Sequence, residues 1–292
     1  MADPRIWPWL AVDVEQLVRE AGLGDVARVE PIESGLTNTL HRAALTSGAV
    51  VGVKTFAAGA AALATERAVI AALRAARGGG VDVVDVLAVH EPSCSIVYRW
   101  IDGVTLHAAR KRGDDLIDYA APIGRALAAI ACARVTDLAL PRRDLGTLAE
   151  QLASPLVGER IGAPLARDLA HRFADLPPPT GDALVHGDFG GKNLLVAGGR
   201  LAGILDWEAA CTGSPLWDVG HFFRYAGRYA PAFRAAFARA YRDAGGDLPE
   251  PWLPSARWLD AARLVRVLAE PRELPSVFAD CRALLAHLMT GG

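Results

Sequence analysis

Three polar side chains in one stretch of the sequence could together transfer a phosphoryl group. Asp188 stands in VHGDFGGKN (185–193), Asn193 ends that segment, and Asp206 directly follows the apolar segment LAGIL (201–205). A loop carboxylate such as Asp188 can accept the proton of a substrate hydroxyl. An amide and a second carboxylate are hard oxygen ligands that suit Mg²⁺. The spacing therefore predicts phosphoryl transfer to an alcohol.

A predicted hairpin is what brings the three side chains together. Two apolar segments, residues 194–196 and 201–205, flank a turn made of Gly198 and Gly199. Paired strands lie only ~5 Å apart, so residues at the open end of a hairpin are close neighbours.

This pattern resembles the catalytic core of the aminoglycoside phosphotransferase family. Here it reads HGDFGGKN (186–193) and then ILDWE (204–208), with both halves at the family's spacing. Members of that family phosphorylate hydroxyls of antibiotics and small metabolites. The resemblance implies an α+β, bilobal, protein-kinase-like fold with an antiparallel-sheet N-lobe and a mainly helical C-lobe. We expect the N-lobe over residues 1–98, a hinge over 99–103 and the C-lobe over 104–292.

The resemblance also implies a role for each polar residue of the motif. Asp188 is expected to orient the acceptor hydroxyl and to take its proton. Asn193 and Asp206 are expected to hold Mg²⁺ between the nucleotide phosphates. His186 and Asp218 are expected to support the catalytic loop rather than to react.

A lysine inside an apolar strand is the main candidate on the nucleotide side. Lys54 stands within VVGVKTF (50–56), and a buried ammonium is costly without a counter-charge. Glu66 is the only acid of the predicted helix AALATERAVIAALRAA (61–76). We expect a Lys54–Glu66 ion pair, with the lysine contacting nucleotide phosphates as in kinases.

Further nucleotide contacts are predicted in a turn, a hinge and the catalytic loop. The turn in ESGLTNTLHRA (33–43) would fold over the phosphates, and the hinge-like CSIVYRWIDG (94–103) would hold the base through its backbone. The expected cofactors are therefore ATP or GTP, with Mg²⁺. The residues so predicted are Ser34, Gly35, Thr37 and Asn38 in the turn, Tyr98, Arg99 and Ile101 in the hinge, and Lys192 in the catalytic loop.

Acidic residues favour a cationic acceptor, because carboxylates attract amines. Glu208 follows the metal-binding motif and could contact substrate amines or a second metal through water. Asp114, Asp115 and Asp118 crowd the start of a predicted helix over 114–135, where they would equally suit the helix dipole. Three further candidates for the substrate cleft are Glu270, Glu273 and Asp280.

Composition excludes other classes of protein. The 292 residues carry a net charge of −2, so there is no general attraction to nucleic acid or anionic membrane. No apolar run approaches the ~20 residues of a membrane span, and the first ten residues lack the basic and apolar segments of a signal peptide. Scattered cysteines predict free thiols in a reducing cytoplasm. The chain is expected to be a monomer or a homodimer.

Several functions remain open at this stage. The leading hypothesis is an antibiotic kinase acting on an aminoglycoside or a basic peptide. A metabolic kinase for choline, homoserine or a sugar would carry the same motif. A protein kinase fits less well, because no APE motif follows DWE. The intact motif opposes a nucleotide-binding pseudokinase, and the lack of a second His/Asp cluster opposes a metallohydrolase.

Overall fold

The computed structural model describes residues 12–32, 38–76, 81–135 and 137–290. The first part of the chain forms an antiparallel sheet, and the remainder is mainly helical. None of the helices in these ranges has the length and apolar character needed to span a bilayer. All four cysteines are free thiols.

A five-stranded sheet organises the first part. Its strands are β1 (Val26–Ile32), β2 (Thr39–Leu45), β3 (Val50–Thr55), β4 (Val86–His90) and β5 (Ser95–Arg99). They pair in the order β1-β2-β3-β5-β4, with antiparallel neighbours throughout. Strands β3 and β5 pair with each other inside the sheet and are almost entirely buried. Their β-branched residues Val51, Val53, Ile96 and Val97 suit a covered sheet.

Two helices cover the two faces of this sheet and decide where Lys54 points. Helix α1 (Val14–Glu20) packs on the face that carries Val51 and Val53. Helix α2 (Ala60–Ala75) lies on the other face, over Ile96 and Tyr98. Because side chains alternate along a strand, Lys54 projects towards α2 rather than towards α1.

The second part is built from helices and short strands. Its helices are α3 (Leu106–Arg112), α4 (Ile117–Cys132), α5 (Leu148–Ala153), α6 (Pro155–Ile161), α7 (Ala163–Ala174), α8 (Leu216–Phe222), α9 (Pro231–Asp243), α10 (Trp252–Ala269) and α11 (Pro275–Met289). Its strands are β6 (Val104–Thr105), β7 (Ala183–Val185), β8 (Leu194–Ala197), β9 (Arg200–Ile204) and β10 (Cys211–Gly213). They form a three-stranded sheet, β6-β8-β9, and a two-stranded sheet, β7-β10.

The contact between α8 and α10 fixes the position of the acceptor side of the site. A Cβ atom at Gly220 of α8 would lie 2.0 Å from the Ala256 carbonyl oxygen of α10. Only glycine lets the two backbones come this close, because any side chain would push the helices apart. The buried residues on these helices join two apolar cores, which meet beneath the catalytic loop.

The predicted fold class is confirmed, since an antiparallel sheet precedes a mainly helical part. Within the helical part, residues 148–161 are divided between α5 and α6 at Ser154. Ser154 has an extended conformation, and its hydroxyl accepts a hydrogen bond from the Val157 amide. Pro155 occupies the first turn of α6, where its missing N–H carries no penalty. This serine–proline pair therefore starts a new helix.

Candidate active site

The β8–β9 hairpin places Asn193 and Asp206 at its open end. Leu194 pairs with Ile204 in the ladder, and the Leu205 amide donates to the Asn193 carbonyl oxygen at 2.9 Å. Asp206 follows Leu205 directly, so the predicted amide and second carboxylate start from adjacent points of the backbone.

The asparagine also ties this hairpin to Asp188. The Asn193 Nδ2 group donates to the Asp188 carbonyl oxygen and to Asp188 Oδ2, both at 2.9 Å. Since both hydrogen bonds use the nitrogen, the amide oxygen of Asn193 points away from Asp188. One side chain therefore orients the predicted catalytic carboxylate and presents an oxygen on its opposite side.

Asp218 holds the beginning of the catalytic loop. Its carboxylate accepts hydrogen bonds from the His186 amide at 2.6 Å and from the Gly187 amide at 3.0 Å. Gly187 has a φ of 84°, and a Cβ there would lie 2.1 Å from the Ala209 carbonyl oxygen. Asp218 is thus placed as expected for a supporting residue.

His186 has both ring nitrogens engaged within the protein. Nδ1 accepts from the Asp188 amide at 3.2 Å, so the proton lies on Nε2, which donates to the Leu205 carbonyl oxygen at 2.9 Å. Burial lowers the pKa of this histidine below its ordinary value. A neutral imidazole without a spare lone pair cannot act as a general base, which favours the supporting role.

Lys54 lies among three carboxylates. Its Nζ atom is 2.6 Å from Glu66 Oε2, 2.6 Å from Asp206 Oδ1 and 3.7 Å from Glu208 Oε2. The expected Lys54–Glu66 ion pair is therefore present. Burial alone would lower the pKa of Lys54. The three carboxylates raise it by a larger amount, so the pKa lies above its ordinary value and the ammonium stays charged.

Asp206 has a backbone conformation that is rare for a residue with a side chain. Its φ is 68° and its ψ is 64°, in the left-handed region. The following amide, that of Trp207, donates to Glu66 Oε2 at 3.1 Å. The buried Trp207 indole then donates to the Ile204 carbonyl oxygen at 3.1 Å. These bonds hold the unusual conformation and direct the Asp206 carboxylate at Lys54.

We expect the substitution Lys54→Met to lower kcat/KM for the nucleotide by roughly 10–100-fold, the worth of a charge-assisted hydrogen bond to phosphate. Steady-state kinetics over a range of nucleotide concentrations measures this change. Lys111→Met, which removes an exposed lysine of α3, is the matched control and should behave like the wild type. Unchanged constants for Lys54→Met would remove this lysine from the site.

The oxygen atoms of Asn193 and Asp206 at the open end of the β8–β9 hairpin are suitable ligands for Mg²⁺. The Asn193 amide oxygen faces away from Asp188, and Asp206 uses only Oδ1 for Lys54. These are hard oxygen ligands of the kind Mg²⁺ takes alongside phosphates and water. A second group, Glu66, Asp206 and Glu208, has ligand atoms within 4.8 Å of one another. There the Lys54 ammonium already occupies the centre, so we place the metal on Asn193 and Asp206.

The hinge and turn residues are only partly described. Ser34, Gly35 and Thr37 lie outside the described residues. Asn38 donates to Glu208 Oε2 at 2.8 Å and accepts from the Ala57 amide at 3.1 Å. This places Glu208 on the nucleotide side of the site instead of towards the acceptor.

The backbone amides at the start of the predicted hinge are already used. The Arg99 amide donates to the Asp85 carbonyl oxygen at 2.9 Å, and the Trp100 amide donates to the Val50 carbonyl oxygen at 3.1 Å. Of the two hinge residues predicted to bind the base through their backbone, Arg99 therefore has its N–H engaged within the sheet, which leaves Ile101 as the candidate donor. Tyr98 is buried against Gly52, and Lys192 is exposed in the catalytic loop.

The acids predicted near the start of α4 lie at the surface and beside the hairpin turn. Asp114 pairs with Arg112 at 2.6 Å on the surface, and Asp118 lies beside Gly199 at the closed end of the hairpin. That end is opposite the one that carries Asn193. In the part of the chain that the structure describes, neither acid contacts Asp188, and the cationic acceptor stays a prediction.

The C-terminal acids are likewise engaged away from the catalytic loop. The Glu270 carbonyl oxygen accepts from Arg160 at 2.5 Å, and Glu273 pairs with Arg160 at 2.6 Å. Asp280 accepts from the Tyr225 hydroxyl. Among the described residues, none of these acids contacts Asp188.

Asp188 instead meets two residues that the sequence analysis did not identify, Arg263 and His221. Arg263 Nη2 donates to Asp188 Oδ1 at 2.5 Å, and His221 Nε2 lies 3.3 Å from the same oxygen. Burial alone would raise the pKa of Asp188. The hydrogen bond from His221 and the charge of Arg263 lower this pKa by a larger amount. The pKa of Asp188 therefore lies well below its usual range.

A buried ion pair stands behind these groups. Arg224 binds Asp260 through Nε and Nη2, both at 2.7 Å, and Nη2 also reaches His221 Nδ1 at 3.0 Å. Burial alone would raise the pKa of Asp260, but Arg224 lowers it more strongly, so Asp260 stays ionised. A sequence signal existed: Asp260 interrupts the apolar face of α10, and a buried acid requires a partner.

We expect Asp260→Ala to lower the free energy of unfolding by about 3 kcal/mol, because it leaves the Arg224 guanidinium buried without its partner. Urea denaturation measures the loss. Asp114→Ala, which removes one partner of an exposed pair, should unfold at the same urea concentration as the wild type. Equal stability of the two variants would show that the buried pair contributes nothing.

Comparison with known proteins was informative at the level of the family. Residues 28–254 match the model of the APH phosphotransferase enzyme family. The chain belongs to this family. A comparison with curated proteins gave no significant sequence match.

Solved structures resemble this phosphotransferase over nearly its full length. A thermostable mutant of aminoglycoside phosphotransferase APH(4)-Ia, in complex with ADP and hygromycin B, has a TM-score of 0.68 at 18% identity and covers 96% of this chain and 99% of its own. Macrolide 2'-phosphotransferase MphH from Brachybacterium faecium has a TM-score of 0.68 at 18% identity, covering 93% and 97%. A putative fructosamine-3-kinase from Thermobifida fusca YX-ER1 has a TM-score of 0.61 at 19% identity, covering 96% and 99%. At these identities the likeness establishes the kinase-like fold.

Proposed function

We propose that this phosphotransferase transfers the γ-phosphoryl group of ATP or GTP to a hydroxyl of a small molecule. The observation that carries the proposal is the bridging role of Asn193, which binds Asp188 through its amide nitrogen and Leu205 through its backbone. Through that bridge a carboxylate for the acceptor and two oxygen ligands for Mg²⁺ share one rigid hairpin. The nucleotide complexes of related enzymes support the choice of donor.

The residues divide between the donor and the acceptor. Lys54 neutralises the nucleotide phosphates, and Glu66 fixes the lysine. Asn193 and Asp206 would hold Mg²⁺, whose charge would offset that of the phosphate oxygens. The Asp188 carboxylate accepts a hydrogen bond from the hydroxyl of the acceptor molecule.

The low pKa of Asp188 indicates how it would work. A strongly ionised carboxylate is a weak base, and a base is most effective when its pKa lies near the operating pH. The transition state of phosphoryl transfer is loose, so the hydroxyl loses its proton late and needs little help before then. We therefore assign Asp188 mainly to orienting the hydroxyl, with proton transfer completing the step.

The acceptor is the open part of this proposal. The names of related structures include an aminoglycoside, a macrolide and a fructosamine kinase, so both antibiotic inactivation and a metabolic reaction are compatible with the family. A cationic aminoglycoside or basic peptide was expected to bind acidic residues of the cleft. In the described residues these acids contact groups other than Asp188: Asp114, Asp118, Glu270 and Glu273.

Transfer of label from γ-labelled ATP or GTP tests the proposal. The acceptor panel should include hygromycin B, a macrolide, polyols and hydroxy acids, each with Mg²⁺ and with EDTA. We expect label on at least one acceptor, dependent on Mg²⁺. Nucleotide binding without transfer to any acceptor would favour a pseudokinase instead.

A further inference from the structure

The acceptor side of Asp188 is positively charged, and this feature limits what can bind there. Asp188 Oδ2 accepts a hydrogen bond from Asn193 Nδ2. The other carboxylate oxygen, Oδ1, accepts from Arg263 Nη2 at 2.5 Å and keeps a second lone pair for the acceptor hydroxyl. An acceptor hydroxyl that binds Oδ1 therefore also lies against the Arg263 guanidinium.

Arg263 is held in place but retains donors for a ligand. Its Nη1 group contacts the His221 ring, and its Nη2 group contacts Asp188. A guanidinium has five N–H donors in a planar fork that matches a carboxylate or a phosphate. The side chain is 23% exposed, so the remaining donors can be reached from the cleft.

The groups behind Arg263 keep this positive charge directed at the site. His221 lies between Arg263 and Arg224, and Arg224 is fixed by its two hydrogen bonds to Asp260. Asp260 forms its ion pair with Arg224, and among the described residues Arg263 forms its ion pair with Asp188. When a hydroxyl hydrogen-bonds to Asp188, the Asp188 carboxylate balances less of the positive charge of the Arg263 guanidinium.

A large cavity next to this cluster is also lined by positive charge. It measures about 920 Å³, within the range of small-molecule sites, and Arg224 belongs both to its wall and to the cluster. Among the described residues that form its wall there is no aspartate or glutamate. Two acids bind residues of this wall: Asp260 binds Arg224, and Asp280 accepts a hydrogen bond from the Tyr225 hydroxyl. The basic residues of the wall are Arg172, Arg224, Arg228, Arg234, Arg257 and His287.

We propose that the acceptor carries an anionic group, a carboxylate or a phosphate, and that Arg263 binds this group while Asp188 receives the hydroxyl. The inference rests on the proposed phosphotransferase function. The anionic group balances the charge of Arg263 when Asp188 hydrogen-bonds to the hydroxyl instead. A polycationic acceptor would instead place its ammonium groups against Arg263, Arg224 and the wall of the cavity. Arg263 is thus the specificity-determining residue.

Calorimetric titration tests the anion site without requiring turnover. The protein is saturated with Mg²⁺ and a non-hydrolysable ATP analogue at low ionic strength, then titrated with sulfate, glucuronate, glucose or glucosamine. The three sugars share a ring and differ in charge. We expect sulfate and glucuronate to bind, and glucuronate to bind more tightly than glucosamine. Absence of anion binding, or tighter binding of glucosamine, overturns the proposal.

Variants assign the binding to Arg263. Arg263→Gln should weaken the binding of sulfate and glucuronate by roughly 10–100-fold and leave the affinity for the Mg²⁺-nucleotide unchanged. Arg263→Lys should retain part of the affinity, since it keeps the charge and loses the fork. Arg125→Gln, an exposed arginine of α4, is the matched control and should bind like the wild type. Equal anion affinity in Arg263→Gln places any binding elsewhere in the protein and contradicts the assignment.

Turnover separates a ligand-binding role from a purely structural one. Label from γ-labelled ATP is followed into pools of hydroxyl compounds sorted by charge. We expect the anionic pool to be labelled first, and Arg263→Gln to raise KM for the acceptor more than it lowers kcat. Preferential labelling of the cationic pool overturns the anion site but leaves phosphotransfer intact. Failure to label any pool counts against the proposed function, and the titration then decides the anion site.

Discussion

The substitution Asp188→Asn is expected to lower turnover by roughly 10²–10⁴-fold, because it removes the carboxylate that orients the hydroxyl and completes the proton transfer. Asparagine has nearly the same shape, but it lacks the negative charge that receives the hydroxyl and balances Arg263. Affinity for the Mg²⁺-nucleotide should remain near that of the wild type, because Lys54, Asn193 and Asp206 are unchanged.

Single-turnover kinetics and calorimetry measure these two quantities separately. Asp182→Asn serves as the matched control, since Asp182 is an exposed aspartate paired with Arg142 at 2.6 Å. The control should have wild-type turnover. Wild-type turnover in Asp188→Asn would reject its role at the acceptor, and loss of nucleotide binding would show that it acts on the donor instead.

The second large effect is expected at the metal ligand Asp206. Asp206→Asn should abolish the part of nucleotide affinity that depends on Mg²⁺, a loss greater than the ~10–100-fold typical of an outer-shell partner. The physical reason is that the carboxylate is the only charged ligand in the proposed pair, and the neutral amide is a weaker ligand for Mg²⁺.

Titration of the nucleotide with and without Mg²⁺ isolates this effect. Glu208→Gln is a matched control two residues away, because Glu208 contacts Asn38 and lies 3.7 Å from Lys54. It should retain the difference between the two titrations. If Asp206→Asn also retains that difference, the metal is held by other groups.

The core of the site could be predicted from sequence because its residues are local. Asp188, Asn193 and Asp206 are joined by a hairpin whose two short strands are separated by a glycine turn. The Lys54–Glu66 pair was also predictable, because α2 contains a single acid and strand alternation turns the lysine towards that helix. In both cases one element carries the constraint.

The acceptor side could not be predicted in the same way. Arg263 meets Asp188 across 75 residues of chain, and Arg224 meets Asp260 across 36. Those contacts depend on the close approach of α8 and α10 at Gly220, which no local pattern reports. The positions of the acids at the start of α4 could not be predicted for a related reason, since their charge is evident in sequence whereas their position beside the hairpin turn is not.

The difference has a consequence for the substrate. Charge composition predicted a cationic acceptor, whereas the contacts of Asp188 favour an anionic one. A residue's charge acts over only ~8–10 Å at physiological salt, so the groups that touch Asp188 outweigh more distant acids of the same domain.

A crystal structure with Mg²⁺ and a non-hydrolysable ATP analogue tests the arrangement most directly. We predict a metal ion ~2.1 Å from the amide oxygen of Asn193 and from an oxygen of Asp206, with Lys54 on the phosphates and the Asp188 carboxylate facing the γ-phosphate across the space that the acceptor hydroxyl would occupy. A metal bound to Glu66 and Glu208 with Asn193 uninvolved would contradict it.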